Sequence, residues 1–448
     1  MNNETLRKRD LAVVWHPCTQ MKDHEHLPMT PIRRGEGVWL EDFDGRRYID
    51  AVSSWWVNLF GHANSYINDA LRHQAEQLEH VILAGFTHEP VVELSERLVA
   101  LTPKGLSRCF YADSGSAAVE VALKMSFHYW LNRGRGEKTR FICLSNSYHG
   151  ETLGALAVGD VALYKSTYRP LLMEAITVAS PDCFEREPGE TCEQVALRRI
   201  AEMEAALERH AHETCAVIIE PLVQCAGGMR MHHPEYLKRL RQLCDRYEVH
   251  LIADEIAVGF GRTGTMFACE QAGITPDFMC LSKGLTAGYL PLSVVLTHEQ
   301  VYDAFYDEYT RLNAFLHSHS YTANPLACTA ALATLDLFEK DAVLERNRHL
   351  AQVIQETLAP LEDHPHVGDV RQHGMIAAVE MVKDKATREP YPWQERRGLA
   401  VYRHALERGA LLRPLGNVAY MMPPYVITEE QIRFLGEVLA EGIDKAVA

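Results

Sequence analysis

The amino-acid sequence predicts an α/β protein with a large domain built on a mainly parallel mixed sheet flanked by helices, and a smaller α/β domain assembled from both termini. Three observations lead there. From about residue 108, short apolar runs alternate with stretches of helical periodicity, the pattern of a sheet covered by helices. The chemically distinctive segments fall just after those apolar runs, where open sheets place their ligand crevices. The two ends of the chain have a different character, with hairpin-like and isolated amphipathic segments.

Taken in order, strands are predicted over residues 108–112, 140–144, 216–219, 250–253, 278–281 and 292–296. Helices are predicted over 118–131, 194–209, 234–246 and 324–338. Upstream, residues 35–60 pass through Asp44-Gly45 between apolar runs and resemble a hairpin. Downstream, 343–358 reads as a helix, and 369–380 and 417–421 read as strands. A last helix begins near Thr428, with Gln431 three residues on to complete a capping box. The expected division is 1–64 as the N-terminal part of the small domain, 65–340 as the large domain and 341–448 as the C-terminal part of the small one.

Composition bounds the function. The 448 residues, 47% hydrophobic, suffice for more than one core. With 45 basic and 60 acidic residues the net charge is -15, which argues against nucleic acid or anionic membranes as partners. A few focused donors can still make a phosphate pocket within an acidic protein. No apolar stretch reaches the roughly 18 residues of a membrane span, and no secretory apolar region follows the start. A cytoplasmic location is therefore expected, with the eleven cysteines, none in a CxxC pair, as mostly buried reduced thiols.

Four segments carry chemistry. Leu251-Ile-Ala-Asp-Glu-Ile256 ends an apolar strand in Asp254, and Leu281-Ser-Lys-Gly284 ends another in Lys283. A lysine is seldom placed at the end of a buried run without a task, and desolvation lowers its pKa toward nucleophilicity. Asp113-Ser-Gly-Ser-Ala-Ala118 opens a helix after a strand, so amides at Gly115 and Ser116 can cradle an anion. Ser147-Tyr-His-Gly150 follows a fourth strand, and Tyr148 can stack on a planar ligand. Each has a plain structural alternative: a strand-end aspartate is often a helix cap, Ser-Gly-Ser a helix start, and a tyrosine core packing. Four such sites at strand ends favour one pocket.

The ordered set Trp15-His-Pro17, Ser54-Trp-Trp56, Asp113-Ser-Gly-Ser116, Ser147-Tyr-His-Gly150, Glu220-Pro-Leu-Val-Gln224, Ala253-Asp-Glu-Ile256, Gly259-Phe-Gly-Arg-Thr-Gly264, Ser282-Lys-Gly284, Asn324-Pro-Leu-Ala-Cys328 and Arg413-Pro-Leu-Gly416 resembles the fold-type I, class III aminotransferases over nearly the whole chain. The resemblance implies pyridoxal 5'-phosphate as cofactor, held as a Schiff base by Lys283, which also shuttles the proton. Asp254 would face the pyridinium nitrogen, Gly115 and Ser116 the phosphate, Tyr148 the ring and Gln224 the phenolic oxygen. Ser320, in His317-Ser-His-Ser320, would reach the phosphate in a neighbouring subunit, which implies a homodimer with shared active sites. Trp55, Trp56 and Tyr148 would line the substrate channel, and Arg413 would clamp a carboxylate bidentately.

Trp55-Trp56 and the Arg413 segment further resemble the branch that aminates 8-amino-7-oxononanoate to 7,8-diaminononanoate for biotin synthesis, with S-adenosyl-L-methionine as expected donor. Lysine as donor to the same acceptor, and a broad ω-amino-acid or diamine transaminase, are the alternatives; a non-enzymatic scaffold would be favoured only if Lys283 or Asp254 were missing. One departure stands out. The tyrosine usual after His-Pro in this family is Cys18 here, in His16-Pro-Cys-Thr19, so substrate contacts of that tyrosine do not carry over. In the wider class a glutamate such as Glu220 pairs with a mobile arginine; here Arg262 is expected to recognise the donor or fix its loop. His232 and His233 read as surface or interface residues with no ligand set to complete a metal site. Arg133–Thr139 lacks the Walker spacing and reads as a solvated turn.

Overall fold

The alternating apolar segments fold into a seven-stranded sheet in the computed structural model, which describes residues 1–448. Its strands are β1 (Leu106–Ala112), β2 (Arg140–Leu144), β3 (Ile176–Val178), β4 (Thr214–Ile219), β5 (His250–Asp254), β6 (Phe278–Leu281) and β7 (Ser293–His298). They lie in the order β1-β7-β6-β5-β4-β2-β3. Only β7 runs antiparallel to its neighbours. Every residue of β4, β5 and β6 is buried, because helices cover both faces. The short edge strand β3 has no counterpart in the sequence reading; three residues give no usable periodicity.

The covering helices are Gly115–Asn132, Cys192–His210, Pro234–Arg246 and Pro325–Lys340; the third stands at its predicted bounds and the others differ from theirs by one to three residues at each end. Gly115–Asn132 packs on β7, β6 and β4, and Cys192–His210 packs against Pro234–Arg246. All strands but β7 point the same way, so the loops after β1, β2, β4, β5 and β6 open on one edge of the sheet. That edge carries Gly115, Tyr148, Glu220, Asp254 and Lys283.

The two ends of the chain meet. Strands Ile32–Glu36, Trp39–Asp42 and Arg47–Asp50 form an antiparallel meander, and Ala410–Leu411 joins it beside Arg47–Asp50, pairing Leu411 with Asp50. Residues 369–380, expected to be extended throughout, are instead most of a hairpin, Val367–His373 with Ile376–Asp384, onto which Val418–Met421 pairs. Its turn is set by close approach. Gly374 (φ +59°) lies against the Arg262–Gly264 backbone, and a Cβ there would stand 2.5 Å from the Thr263 carbonyl carbon. Helices Val343–Leu358 and Glu429–Val447 pack together, and the latter starts at the Thr428–Gln431 capping box.

Two sequence expectations are corrected. His232 is buried, with burial pushing its imidazole down to about 4, and His233 caps the Pro234–Arg246 helix. The Arg133–Thr139 turn is not simply solvated: Lys138 is buried and donates to the carbonyls of Ala211 (2.8 Å), Thr214 (2.9 Å) and Glu248 (2.8 Å). The cysteines are mostly buried thiols, as expected: seven of the eleven are buried and free, while Cys18 is exposed and Cys183 and Cys192 are disulfide-bonded. No helix is long and apolar enough to cross a membrane.

Candidate active site

Five strand ends build one cavity of about 150 Å³, walled by residues that include Gly115, Ser116, Tyr148, His149, Glu220, Asp254, Lys283 and Trp56. A larger surface groove of about 470 Å³ lies along Lys238, Arg241, Asp245 and Asp277, where the Arg241 charge is already neutralised by ion pairs. The chemistry therefore belongs to the smaller cavity.

Asp254 ends β5, and its carboxylate is held at both oxygens. Oδ1 accepts from the Ile256 N–H (3.1 Å), and Oδ2 lies 2.7 Å from His149 Nδ1. The second ring nitrogen of His149 is buried without a partner. Lys283 follows β6 in a left-handed conformation (φ 41°), which turns its side chain off the strand into the cavity. Its Nζ stands 5.4 Å from the Trp56 ring centroid. Burial pushes the Lys283 ammonium below its ordinary value, opposed by the Asp254 charge. An amine in this setting is partly available as a nucleophile.

Opposite the carboxylate, Ser114 caps the Gly115–Asn132 helix and accepts from Ala117 N–H (3.3 Å). The N–H groups of Gly115 and Ser116 open that helix and have no intrahelical partner, so they face an anion with the helix dipole behind them. Gly150 (φ +124°) closes over this cradle, and a Cβ there would collide with Ser116 Oγ. Ser116 Oγ accepts from Glu151 N–H at 3.2 Å. Tyr148 forms a side wall; its hydroxyl donates to Glu151 (3.1 Å), and its ring meets Tyr164 edge-on at 5.4 Å.

Glu220 is buried in the cavity wall and accepts from the N–H groups of Tyr148 and Cys225, both at 3.0 Å. Burial pushes its carboxyl up to about 7. The pairing of Glu220 with Arg262 known in the wider class is not made. Arg262 is buried elsewhere, donating to the carbonyls of Pro423 (2.7 Å), Asn58 (3.1 Å) and Trp56 (3.4 Å). These bonds tie its loop to the Trp56–Asn58 and Pro423 segments.

Toward solvent, the Arg413 guanidinium lies 4.4 Å over the Trp55 ring. Trp56 turns inward, donating from Nε1 to the Tyr420 hydroxyl at 3.0 Å. Cys18 is exposed, 4.0 Å from the Tyr164 hydroxyl, so the departure from the family pattern sits beside the Tyr148–Tyr164 wall.

Of the residues singled out in the sequence, Lys283, Asp254, Tyr148, Gly115, Ser116 and Trp56 share this cavity, with Trp55 and Arg413 stacked on each other nearby. Two lie apart from it. Gln224 is spent on protein partners, donating to the Ser145 carbonyl (2.9 Å) and accepting from Ser180 Oγ (2.7 Å). Ser320 is exposed on a loop and contributes nothing to its own chain's cavity. The sequence reading missed His149 and the wall position of Glu220, though both stand in segments it had marked. No local signal tells that a histidine beside Tyr148 will meet an aspartate far along the chain.

A strand-end lysine and aspartate that share one cavity with an anion cradle mark a transferase of the pyridoxal-phosphate kind, the class-III aminotransferases among them. That family, Aminotransferase class-III, matches residues 19–443, and the chain belongs to it. The chain is 48% identical to the adenosylmethionine-8-amino-7-oxononanoate aminotransferase of Geobacter sulfurreducens, over 100% of this chain and 98% of that one. The crystal structure of the enzyme of the same name from Methanocaldococcus jannaschii superposes with a TM-score of 0.93 at 40% identity, covering 99% of both chains. An omega transaminase from Pseudomonas jessenii, solved in complex with PMP, superposes with a TM-score of 0.94 at 30% identity over 98% of each chain.

Proposed function

We propose that the protein is a pyridoxal-phosphate enzyme that transaminates 8-amino-7-oxononanoate to 7,8-diaminononanoate, with S-adenosyl-L-methionine as amino donor. The observation that carries the acceptor is Arg413. Its guanidinium is pre-oriented on Trp55 and has no carboxylate partner within the chain, so it can clamp the distal carboxylate of an amino-oxo acid. The names of the relatives that match end to end agree with this acceptor.

The cavity suits the cofactor by the chemistry of its donors: amides at Gly115 and Ser116 for a phosphate, Asp254 for a protonated ring nitrogen, Tyr148 for a ring face and Lys283 for the aldehyde carbon. When bound, pyridoxal phosphate supplies an electron sink that makes a substrate α-proton removable. Lys283, with its Nζ in the cavity, would hold that proton and return it in the 1,3 shift that transamination needs. Asp254, oriented by His149, would face the ring nitrogen from the cavity wall. Trp56 and Tyr148 exclude water around Nζ, and Arg413 positions the acceptor from the mouth. One cavity thus serves donor and acceptor in turn, a ping-pong cycle.

Exposed surface supports the reading of a homodimer. Ser320 lies on a segment where Tyr306, Tyr309, Leu312, Leu316 and Tyr321 are all at least 64% exposed in the single chain, an apolar strip suited to a second copy. A second subunit there would bring Ser320 to its neighbour's phosphate cradle. We assign the enzyme to the cytoplasm.

The test supplies 8-amino-7-oxononanoate with adenosylmethionine, lysine or alanine and identifies both products. Diaminononanoate formed with adenosylmethionine is expected; its absence with every donor rejects the acceptor. Borohydride-treated holoenzyme should lose its visible band and carry the reduced adduct on Lys283, and an adduct elsewhere rejects the site.

A further inference from the structure

The tryptophan pair at the mouth rides on an unusual piece of backbone. Ser53, Ser54, Trp55 and Trp56 have φ of 50°, 45°, 74° and 73°. Residues with a Cβ avoid this left-handed region, because the Cβ crowds the following carbonyl, and normally enter it singly. Four in a row persist only where the surroundings over-determine the backbone.

Those surroundings centre on Asp50. Its buried carboxylate accepts from Ser54 Oγ (2.7 Å), Ser54 N–H (2.9 Å), Val52 N–H (3.3 Å) and His62 Nε2 (3.0 Å). Asn58 Nδ2 meets the other His62 ring nitrogen at 3.1 Å. On the far side, Ser53 Oγ donates to the Met422 carbonyl (2.7 Å), and Arg262 holds the carbonyls of Trp56 and Asn58. The root of the turn also meets the strand that leads to Arg413. Asp50 lies in register with Leu411, and its neighbour Ala51 donates its N–H to the Leu411 carbonyl at 3.2 Å, two residues before Arg413. The Asp50–Ala51 step therefore joins both halves of the stacked pair: the Asp50 side chain fixes the turn that carries Trp55, and the Ala51 amide ties that turn to the strand that leads to Arg413.

We propose that Asp50, supported by His62, is the positioning residue of the acceptor site. It keeps the Ser53–Trp56 turn left-handed and so fixes where Trp55 holds the Arg413 guanidinium relative to Lys283. It is absent from the cavity wall, so it acts through the turn. The inference rests on the reading of Arg413 as the acceptor's carboxylate clamp.

The test uses holoenzyme carrying Asp50→Ala, alone and with Ser54→Gly. Glycine enters the left-handed region without the Cβ penalty, so it should relieve a turn that has lost its brace. Asp50→Ala should raise the acceptor KM about tenfold or more while changing kcat by less than about threefold, the signature of lost binding rather than lost chemistry. Its cofactor Kd should stay within about twofold of wild type. Adding Ser54→Gly should recover most of the KM. An unchanged KM overturns the proposal, as does a KM loss that Ser54→Gly does not recover.

Acrylamide quenching of tryptophan fluorescence reads the turn without any substrate. It should rise in Asp50→Ala and fall back in the double variant, and no change overturns the proposal. If wild type forms no diaminononanoate, the acceptor reading fails, while quenching still judges the turn. Should Asp50→Ala not fold, His62→Ala removes one bond to the carboxylate and should shift KM and quenching the same way, by less; no shift overturns the proposal.

Discussion

Replacing His149 by alanine tests the floor of the cavity. The His149 Nδ1–Asp254 Oδ2 contact is 2.7 Å long and joins side chains with 0% and 5% exposure, so water does not screen it. A hydrogen bond to a charged group contributes about 1.5–3 kcal/mol. Without it, Oδ2 is left buried with no donor, while Oδ1 keeps only the Ile256 N–H. The carboxylate then loses its orientation, and its grip on the cofactor ring that the proposed function gives it should weaken by about that amount. At about 1.36 kcal/mol per decade, cofactor affinity should fall roughly ten- to hundredfold. The assay titrates apoenzyme with pyridoxal phosphate through the visible absorption band and follows kcat at saturating cofactor. His149→Ala protein that binds within about twofold of wild type at normal kcat would refute the assignment. A parallel thermal melt separates this from general unfolding, since the loss should be concentrated in the cofactor titration.

Three further outcomes are expected. Arg413→Ala should raise the acceptor KM by about ten- to a hundredfold, the worth of a bidentate charge-assisted pair, and leave cofactor binding unchanged; steady-state kinetics with both substrates varied checks this. Lys138→Met leaves three carbonyls, the Thr214 one buried, without their donor and should lower stability by about 1–3 kcal/mol in urea denaturation, with kinetics of the remaining folded enzyme unaffected. His232, His250 and His373 are held down to about 4 by burial, so the unfolded chain binds more protons than the folded one between about 4 and 6.5. Stability should therefore rise with pH through that window and be lost as pH falls through it, by up to about 1.4 kcal/mol per pH unit for each histidine. Melting temperature against pH measures the slope, and His250→Leu should flatten it.

Much of the fold was legible because periodicity and punctuation are local. The β2 and β6 strands and the Pro234–Arg246 and Val343–Leu358 helices stand where apolar spacing put them, and Thr428 with Gln431 marked its helix start from two residues alone. The 369–380 segment was misread because its turn depends on Gly374 meeting the Arg262–Gly264 backbone, a contact made across more than a hundred residues of chain. His232 and Lys138 were misread for a related reason. A polar side chain's burial depends on which neighbours close over it, and the carbonyls around Lys138 come from two separate segments, 211–214 and Glu248.

The candidate site divides in the same way. Lys283, Asp254, Gly115, Ser116 and Tyr148 stand out in sequence because their chemistry is tied to strand ends, and a parallel sheet gathers those ends on one edge. What only the tertiary structure decided is how the groups are partnered. It set His149 against Asp254, left Glu220 with backbone donors while Arg262 went to carbonyls, and stacked Arg413 on Trp55 over a left-handed turn braced by Asp50. Residue type and local spacing are properties of the chain. Distance between segments, and the burial that gives a charge its strength, exist only once the chain has folded.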